Sequence, residues 1–307
     1  MKKVAIIGAG NVGASIAQLV AQSGTADVAL FDVVAGMPQG KALDLQEACP
    51  LWDSASRVEG ASDYGVIDGA DVVVITAGVA RKPGMSRDDL LNINAGVVRT
   101  ASTEVAGRCP NAVVVVVTNP MDAMAQLSMS ATGFAPARVM GMGGVLDAAR
   151  FRTFVALELG VSPGSVEAMV MGGHGDQMVP VMDFTTVGGV PLGRLLSEDR
   201  IKALIERTKS GGAEIVALLK TGSAYYAPAA STYKMIRAVL FDEKRLLAAS
   251  CMLSGQYGQS GVYAGVPAIL GAGGVEKILE PALSKDELNA FKTSAMAVRE
   301  LCDKLGI

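Results

Sequence analysis

Short continuous runs of Val, Ile and Leu alternate with longer stretches of mixed polarity through the first half of the chain. The runs at 4–7, 27–31, 72–76, 113–118 and 139–142 are strand-sized and apolar at successive positions, the pattern of strands buried on both faces. Between them, 11–22, 41–48, 86–107 and 121–131 read as helices. Strand and helix in regular alternation predict an α/β fold with a doubly wound parallel sheet. Past about residue 145 the rhythm changes. A helix over 146–159 precedes strands at 166–171 and 178–187, two long helices over 197–219 and 225–241, a Gly-rich β segment at 262–274 and a last helix. Ser284 opens that helix with Glu287 three positions on, the capping-box spacing. On this change of pattern the chain divides into residues 1–145 and an α+β domain over 146–307.

With 307 residues, half of them hydrophobic, the chain can bury a large core, which excludes disorder. The apolar runs fall far short of the ~20 residues of a spanning helix. Lys and Arg number 27 against 30 Asp and Glu, a net charge of −3, and form no basic stripe for nucleic-acid phosphates. Met1-Lys2-Lys3 passes at once into a strand without an apolar leader segment, which predicts a cytoplasmic protein with neither membrane nor nucleic acid as partner. Cys49, Cys109, Cys251 and Cys302 are scattered, with no CxxC pair and no histidine nearby. They read as small buried apolar residues, and with one histidine in the chain no metal site is expected.

Gly8-Ala9-Gly10-Asn11-Val12-Gly13 follows the first strand and opens the first helix. In such a turn the first glycine allows the bend, the second lets backbone approach a pyrophosphate, and the third permits close helix–sheet packing. The helix N-terminus then stabilises the anion. Asp32 ends the second strand nineteen residues after Gly13, near the ~20-residue spacing of an acid that accepts hydrogen bonds from a ribose diol. That carboxylate would repel a 2′-phosphate, so NAD is favoured over NADP. The alternative is a glycine turn with an Asp capping the next loop. Thr76-Ala77-Gly78 and Val117-Thr118-Asn119-Pro120 follow two further strands and should face the same crevice.

His174 lies in Met171-Gly172-Gly173-His174-Gly175-Asp176, after a strand and between glycines. Only histidine has an ordinary pKa suited to reversible proton transfer at neutral pH, although a lone histidine can equally be structural. Arg81 and Arg87 lie on the loop after the strand at 72–76, and Arg150 follows Asp147 by three positions, on neighbouring turns of one helix face. Arginine forks bind carboxylates in bidentate fashion; a solvated surface charge is the plainer reading of each.

Over essentially its whole length the chain resembles the lactate/malate dehydrogenase family, and within it the lactate-dehydrogenase-like malate dehydrogenases. The resemblance rests on Gly8 to Gly13, Asp32, Thr76-Ala77-Gly78, Arg81 to Arg87, Val117-Thr118-Asn119-Pro120, Leu146-Asp147-Ala148-Ala149-Arg150-Phe151-Arg152 and Gly173-His174-Gly175-Asp176. It implies a Rossmann-type NAD domain followed by a substrate domain, and reversible NAD-dependent oxidation of (S)-malate to oxaloacetate. Carried over by position, it implies His174 as acid/base, Asp147 as its carboxylate partner, Arg150 as clamp on the substrate C1 carboxylate, and Arg87 as the loop residue that polarises the reacting carbonyl. Asn119 would contact substrate and cofactor. Gly8, Gly10, Asn11, Val12, Gly13, Asp32, Thr76, Ala77, Gly78, Asn94 and Val117 would line the cofactor site. Where lactate-specific relatives carry Gln, this chain carries Arg81, which implies a dicarboxylate substrate, since a second buried carboxylate needs a counter-charge. Family members are homodimers or homotetramers, and apolar positions over 42–52 are compatible with a subunit interface or with ordinary core.

Overall fold

The structure, a computed structural model, describes residues 1–79 and 86–307. Its main sheet begins with six parallel strands: β1 (Lys3–Ile7), β2 (Asp27–Phe31), β3 (Val58–Ala61), β4 (Val72–Ile75), β5 (Val113–Val116) and β6 (Val139–Gly141). Their spatial order is β3-β2-β1-β4-β5-β6, so the direction of winding reverses between β1 and β4. That reversal leaves a crevice outside the carboxyl ends of those two strands. The all-Val strand β5 and the strand β4 are buried at every position, as strands covered on both faces must be.

Two helical layers supply the cover. One holds α1 (Asn11–Ser23), α2 (Met37–Ala48) and α7 (Tyr226–Leu240); the other holds α3 (Arg87–Arg108), α4 (Met121–Thr132) and α8 (Lys285–Leu305). Helix α2 starts four residues ahead of the expected position, with Pro38 in its first turn, where the missing N–H is no loss. Helix α5 (Gly143–Leu159) follows β6 directly.

The second half extends the same sheet. Antiparallel β10 (Arg245–Ser254), β11 (Ser260–Gly271) and β12 (Gly274–Ile278) join beyond β6, through the pair Ser250 and Gly141. A separate antiparallel sheet of β7 (Val166–Met171), β8 (Val179–Val187) and β9 (Val190–Pro191) packs with α5 and α6 (Glu198–Leu219) around a smaller core of Phe151, Val155, Val166, Val170, Leu192 and Leu204. Four strands lie outside the expected ones. β3 is an edge strand with only Val58 buried, β9 is two exposed residues long, β10 reads Arg-Leu-Leu-Ala-Ala-Ser-Cys, rich in helix formers, and β12 carries Glu276 and Lys277 exposed at its centre. Among the described residues no helix is long and apolar enough to cross a membrane.

Candidate active site

The glycine turn is fixed by close packing at two of its three glycines. At Gly8, where φ is 111°, a Cβ would stand 2.6 Å from Thr76 Oγ1 and 2.7 Å from Ala77 N; at Gly13 it would stand 1.8 Å from the Gly8 carbonyl oxygen. At Gly10 a Cβ would meet nothing within 4 Å, so this side of the turn is open. The Ala9 N–H donates to Asp32 Oδ2 at 2.7 Å and the Val34 N–H to Asp32 Oδ1 at 3.0 Å, which fixes the carboxylate beside the turn. Lys41 Nζ donates to the Ala9 carbonyl at 2.6 Å. No side chain caps α1 and no acidic residue occupies its first turn. Its leading N–H groups therefore face a small hollow of about 180 Å³ shared by Gly10, Asn11, Val12, Gly13, Thr76 and Ser223. An open glycine, uncapped helix N–H groups and a fixed carboxylate suit the pyrophosphate and ribose of a dinucleotide.

The adjoining cleft, about 610 Å³, is lined by Val12, Thr76, Gly78, Asn94, Val117 and Asn119 on the first half and by Arg150 and His174 on the second. Ala77, between Thr76 and Gly78, does not itself line the cleft; its carbonyl accepts from Thr118 Oγ1 at 2.7 Å. Asn94 is 1 % exposed, and its amide is engaged with both loops: Oδ1 accepts from the Val79 N–H at 2.8 Å, while Nδ2 donates to the Asn119 carbonyl at 2.7 Å. It thus ties the loop after β4 to the loop after β5. Arg81 and the side chain of Arg87 lie outside the described residues. A larger groove of about 770 Å³, lined by Ala148, Lys234 and Leu246 among others, holds none of the candidate residues and lies away from the chemistry.

His174 is held by both ring and backbone. Its Nδ1 lies 2.8 Å from Asp147 Oδ2, which leaves Nε2 as the nitrogen available to exchange a proton. The Asp147 side chain is 2 % exposed and that of His174 13 % exposed. Burial, the largest influence on the imidazole, pushes its pKa down. The charge and hydrogen bond of Asp147, with the charge of Asp122, outweigh burial and the repulsion of Arg150, and the net pKa lies above the ordinary value. Three residues along α5 from Asp147, the Arg150 guanidinium sits 3.7 Å from Asp147 Oδ1. Burial pulls its pKa down and Asp147 opposes this. Arg150 Nε and Asp147 Oδ1 are both buried without a hydrogen-bond partner among the described residues. A guanidinium so placed is under-satisfied, and a carboxylate entering the cleft would offset that cost.

Asp122, Ser250 and Ser294 belong to this site and were not anticipated. The Gly173 N–H donates to Ser294 Oγ at 2.7 Å and the His174 N–H to Asp122 Oδ2 at 2.8 Å, while Ser250 Oγ donates to Asp122 Oδ1 at 2.6 Å. These partners stand 121, 52 and 128 positions apart in the chain. Nothing local marks them: Asp122 looks like an ordinary acid in the first turn of a helix.

The family model described as lactate/malate dehydrogenase, NAD binding domain, matches residues 2–141, and that described as lactate/malate dehydrogenase, alpha/beta C-terminal domain, matches residues 144–305. A malate dehydrogenase of Thermomicrobium roseum is 56% identical over 300 residues, covering 98% of this chain and 97% of that protein. The crystal structure of Cryptosporidium parvum malate dehydrogenase superposes with a TM-score of 0.97 at 44% identity, covering 99% of both chains. A lactate dehydrogenase from the same organism, complexed with lactic acid and nicotinamide adenine dinucleotide, superposes with a TM-score of 0.96 at 42% identity, covering 99% of this chain and 98% of that one.

Proposed function

Because the chain belongs to the lactate/malate dehydrogenase family, we propose that it is an NAD-dependent malate dehydrogenase that interconverts (S)-malate and oxaloacetate. The observation that carries the chemistry is the Asp147–His174 pair standing beside Arg150 in a cleft that opens onto the glycine turn. The fold alone does not choose the substrate, since a lactate dehydrogenase structure superposes nearly as well as a malate dehydrogenase structure.

Gly8, Gly10, Asn11, Val12 and Gly13 would hold the cofactor pyrophosphate, Asp32 the ribose, and Thr76, Ala77, Gly78, Asn94, Val117 and Asn119 the nicotinamide end. The nicotinamide supplies the hydride acceptor in oxidation and the hydride donor in reduction. Arg150 binds the C1 carboxylate of the substrate as a fork, which orients C2 within the cleft. His174 Nε2 takes the hydroxyl proton during malate oxidation and returns it to the carbonyl oxygen during oxaloacetate reduction. Asp147 fixes the tautomer at Nδ1 and stabilises the imidazolium between turnovers. From sequence position, Arg87 polarises the carbonyl and Arg81 pairs with the second carboxylate.

The proposal includes a division into a cofactor domain, 1–145, and a substrate domain, 146–307, supported by the two matched ranges. It also includes association into a homodimer or homotetramer. Leu43 and Leu51, 62% and 85% exposed around α2, support an interface there, whereas Ala42 in the same helix faces the core. Cytoplasmic location is supported by four cysteines that are all free thiols.

Turnover of oxaloacetate and pyruvate with NADH, followed by nicotinamide absorbance, tests the reading. Oxaloacetate should be favoured in kcat/KM by more than about 100-fold, and Arg81→Gln should erase most of that preference, because the second carboxylate then enters without a counter-charge. Equal turnover of the two acids by the unaltered protein would sink the malate assignment. An unchanged preference in Arg81→Gln would sink the role of Arg81.

A further inference from the structure

Two neighbouring backbone N–H groups hold the loop that carries the imidazole, and they use different acceptors. The Gly173 N–H is held by the neutral hydroxyl of Ser294, yet the His174 N–H one residue on is held by the carboxylate of Asp122, which is 5% exposed. A hydroxyl would have sufficed for the second bond, and burying a carboxylate is costly. The fold offsets part of that cost: Asp122 lies in the first turn of α4, where free N–H groups and the helix dipole favour negative charge, and its other oxygen accepts from Ser250 at 2.6 Å. We propose that Asp122 is a positioning residue for His174, which supports the charged imidazolium from the backbone side while Asp147 supports it at Nδ1. This rests on the reading of His174 as the proton carrier of the proposed reaction.

Burial, the largest influence, pushes the Asp122 carboxyl pKa up, and the charge of Asp147 adds to it. The Ser250 and His174 hydrogen bonds and the imidazolium charge pull it down without overcoming burial, so the net pKa lies above the ordinary value. The charged form of Asp122 therefore depends on these partners, its charge and that of His174 reinforcing each other. The groups facing His174 among the described residues are Asp147 and Arg150 of α5 and Asp122 of α4. Asp176 follows in its own loop, and Lys209 of α6 lines the same cleft. Cys302 of α8 faces Asp122, but burial has pushed its thiol pKa up to about 12, so it brings no charge.

His174 is the only histidine, so its ring protons give one titration curve in the proton NMR spectrum of the whole protein. Asp122→Asn keeps the shape and an acceptor for the His174 N–H while it removes the charge. The His174 midpoint should fall by about 0.5–1 pH unit, a threefold to tenfold loss of proton affinity. The pH at which oxaloacetate reduction is half lost should move down by the same amount, with KM within about twofold of the unaltered value. Ser250→Ala, which removes one donor from Asp122 and leaves the His174 N–H bond, should shift the midpoint in the same direction by less. A folded Asp122→Asn protein with an unmoved His174 titration overturns the proposal. If circular dichroism shows that this variant does not fold, Ser250→Ala decides on the same readout, and an unmoved midpoint overturns it. The titration needs no substrate, so a protein that fails to reduce oxaloacetate would sink the malate reading and leave this test standing.

Discussion

Burial and ion pairing act on the His174 ring in opposite directions, and pairing wins because Asp147 is itself out of solvent and meets Nδ1 at 2.8 Å. With His174 as the proposed proton carrier, oxaloacetate reduction would consume the imidazolium, so its rate should decline as pH rises through a midpoint above the ordinary histidine value of ~6.5, while malate oxidation should gain over the same interval. His174→Asn should lower kcat in both directions by about 100- to 10,000-fold and abolish that midpoint; a variant that kept most of its turnover would remove His174 from the proton path. The same raised pKa bears on stability. A folded-state value above the unfolded one contributes stability that is complete below pH ~6.5 and is lost as pH rises through the folded value.

At the level of elements, the last helix shows what local sequence can specify. Ser284 Oγ accepts from the Glu287 N–H at 3.3 Å and Glu287 Oε2 accepts from the Ser284 N–H at 3.0 Å, the reciprocal pair that the Ser-x-x-Glu spacing predicts. Glu287 Oε1 also accepts from the Met182 N–H at 2.9 Å, which joins the cap of α8 to β8. Ser284→Ala should therefore lower stability by about 1 kcal/mol, and Glu287→Ala by more, since it also strands a backbone donor of another element. Urea titration of the two variants checks the order, and a Glu287→Ala protein no less stable than the Ser284→Ala one would contradict it. Strands such as β5 and motifs such as the glycine turn were legible because their residue types answer to local constraints: burial on both faces, or a Cβ that would collide. Strand β10 was not legible, because Leu, Ala and Ser in it are extended only by pairing with β11 and β6. In the site, His174 and the Asp147–Arg150 spacing could be singled out in the sequence and their roles carried over from the family resemblance, whereas Asp122, Ser250 and Ser294 meet them only through tertiary folding.

The whole molecule is built so that neither half completes the cleft alone. Asn94 and Asn119 come from the first half, Arg150 and His174 from the second, and the two are joined by a sheet that runs from β3 to β12. Further ties cross the same join: Tyr263 Oη donates to the Val139 carbonyl at 3.0 Å, and the Tyr263 N–H donates to Gln126 Oε1 at 3.3 Å. Such continuity predicts one cooperative unfolding transition rather than two. The chain carries its own reporters, since the single tryptophan, Trp52, lies in the first half, packed against the main core, and the single histidine sits in the second. In a urea titration the Trp52 fluorescence and the His174 ring resonance should lose their native signals at the same midpoint. Separate midpoints would mean that the halves unfold independently and that the shared sheet does not couple them. Because association stabilises only folded copies, the common midpoint should also rise with protein concentration if the exposed leucines around α2 join subunits, and a concentration-independent midpoint with a monomer mass by light scattering would refute the proposed oligomer.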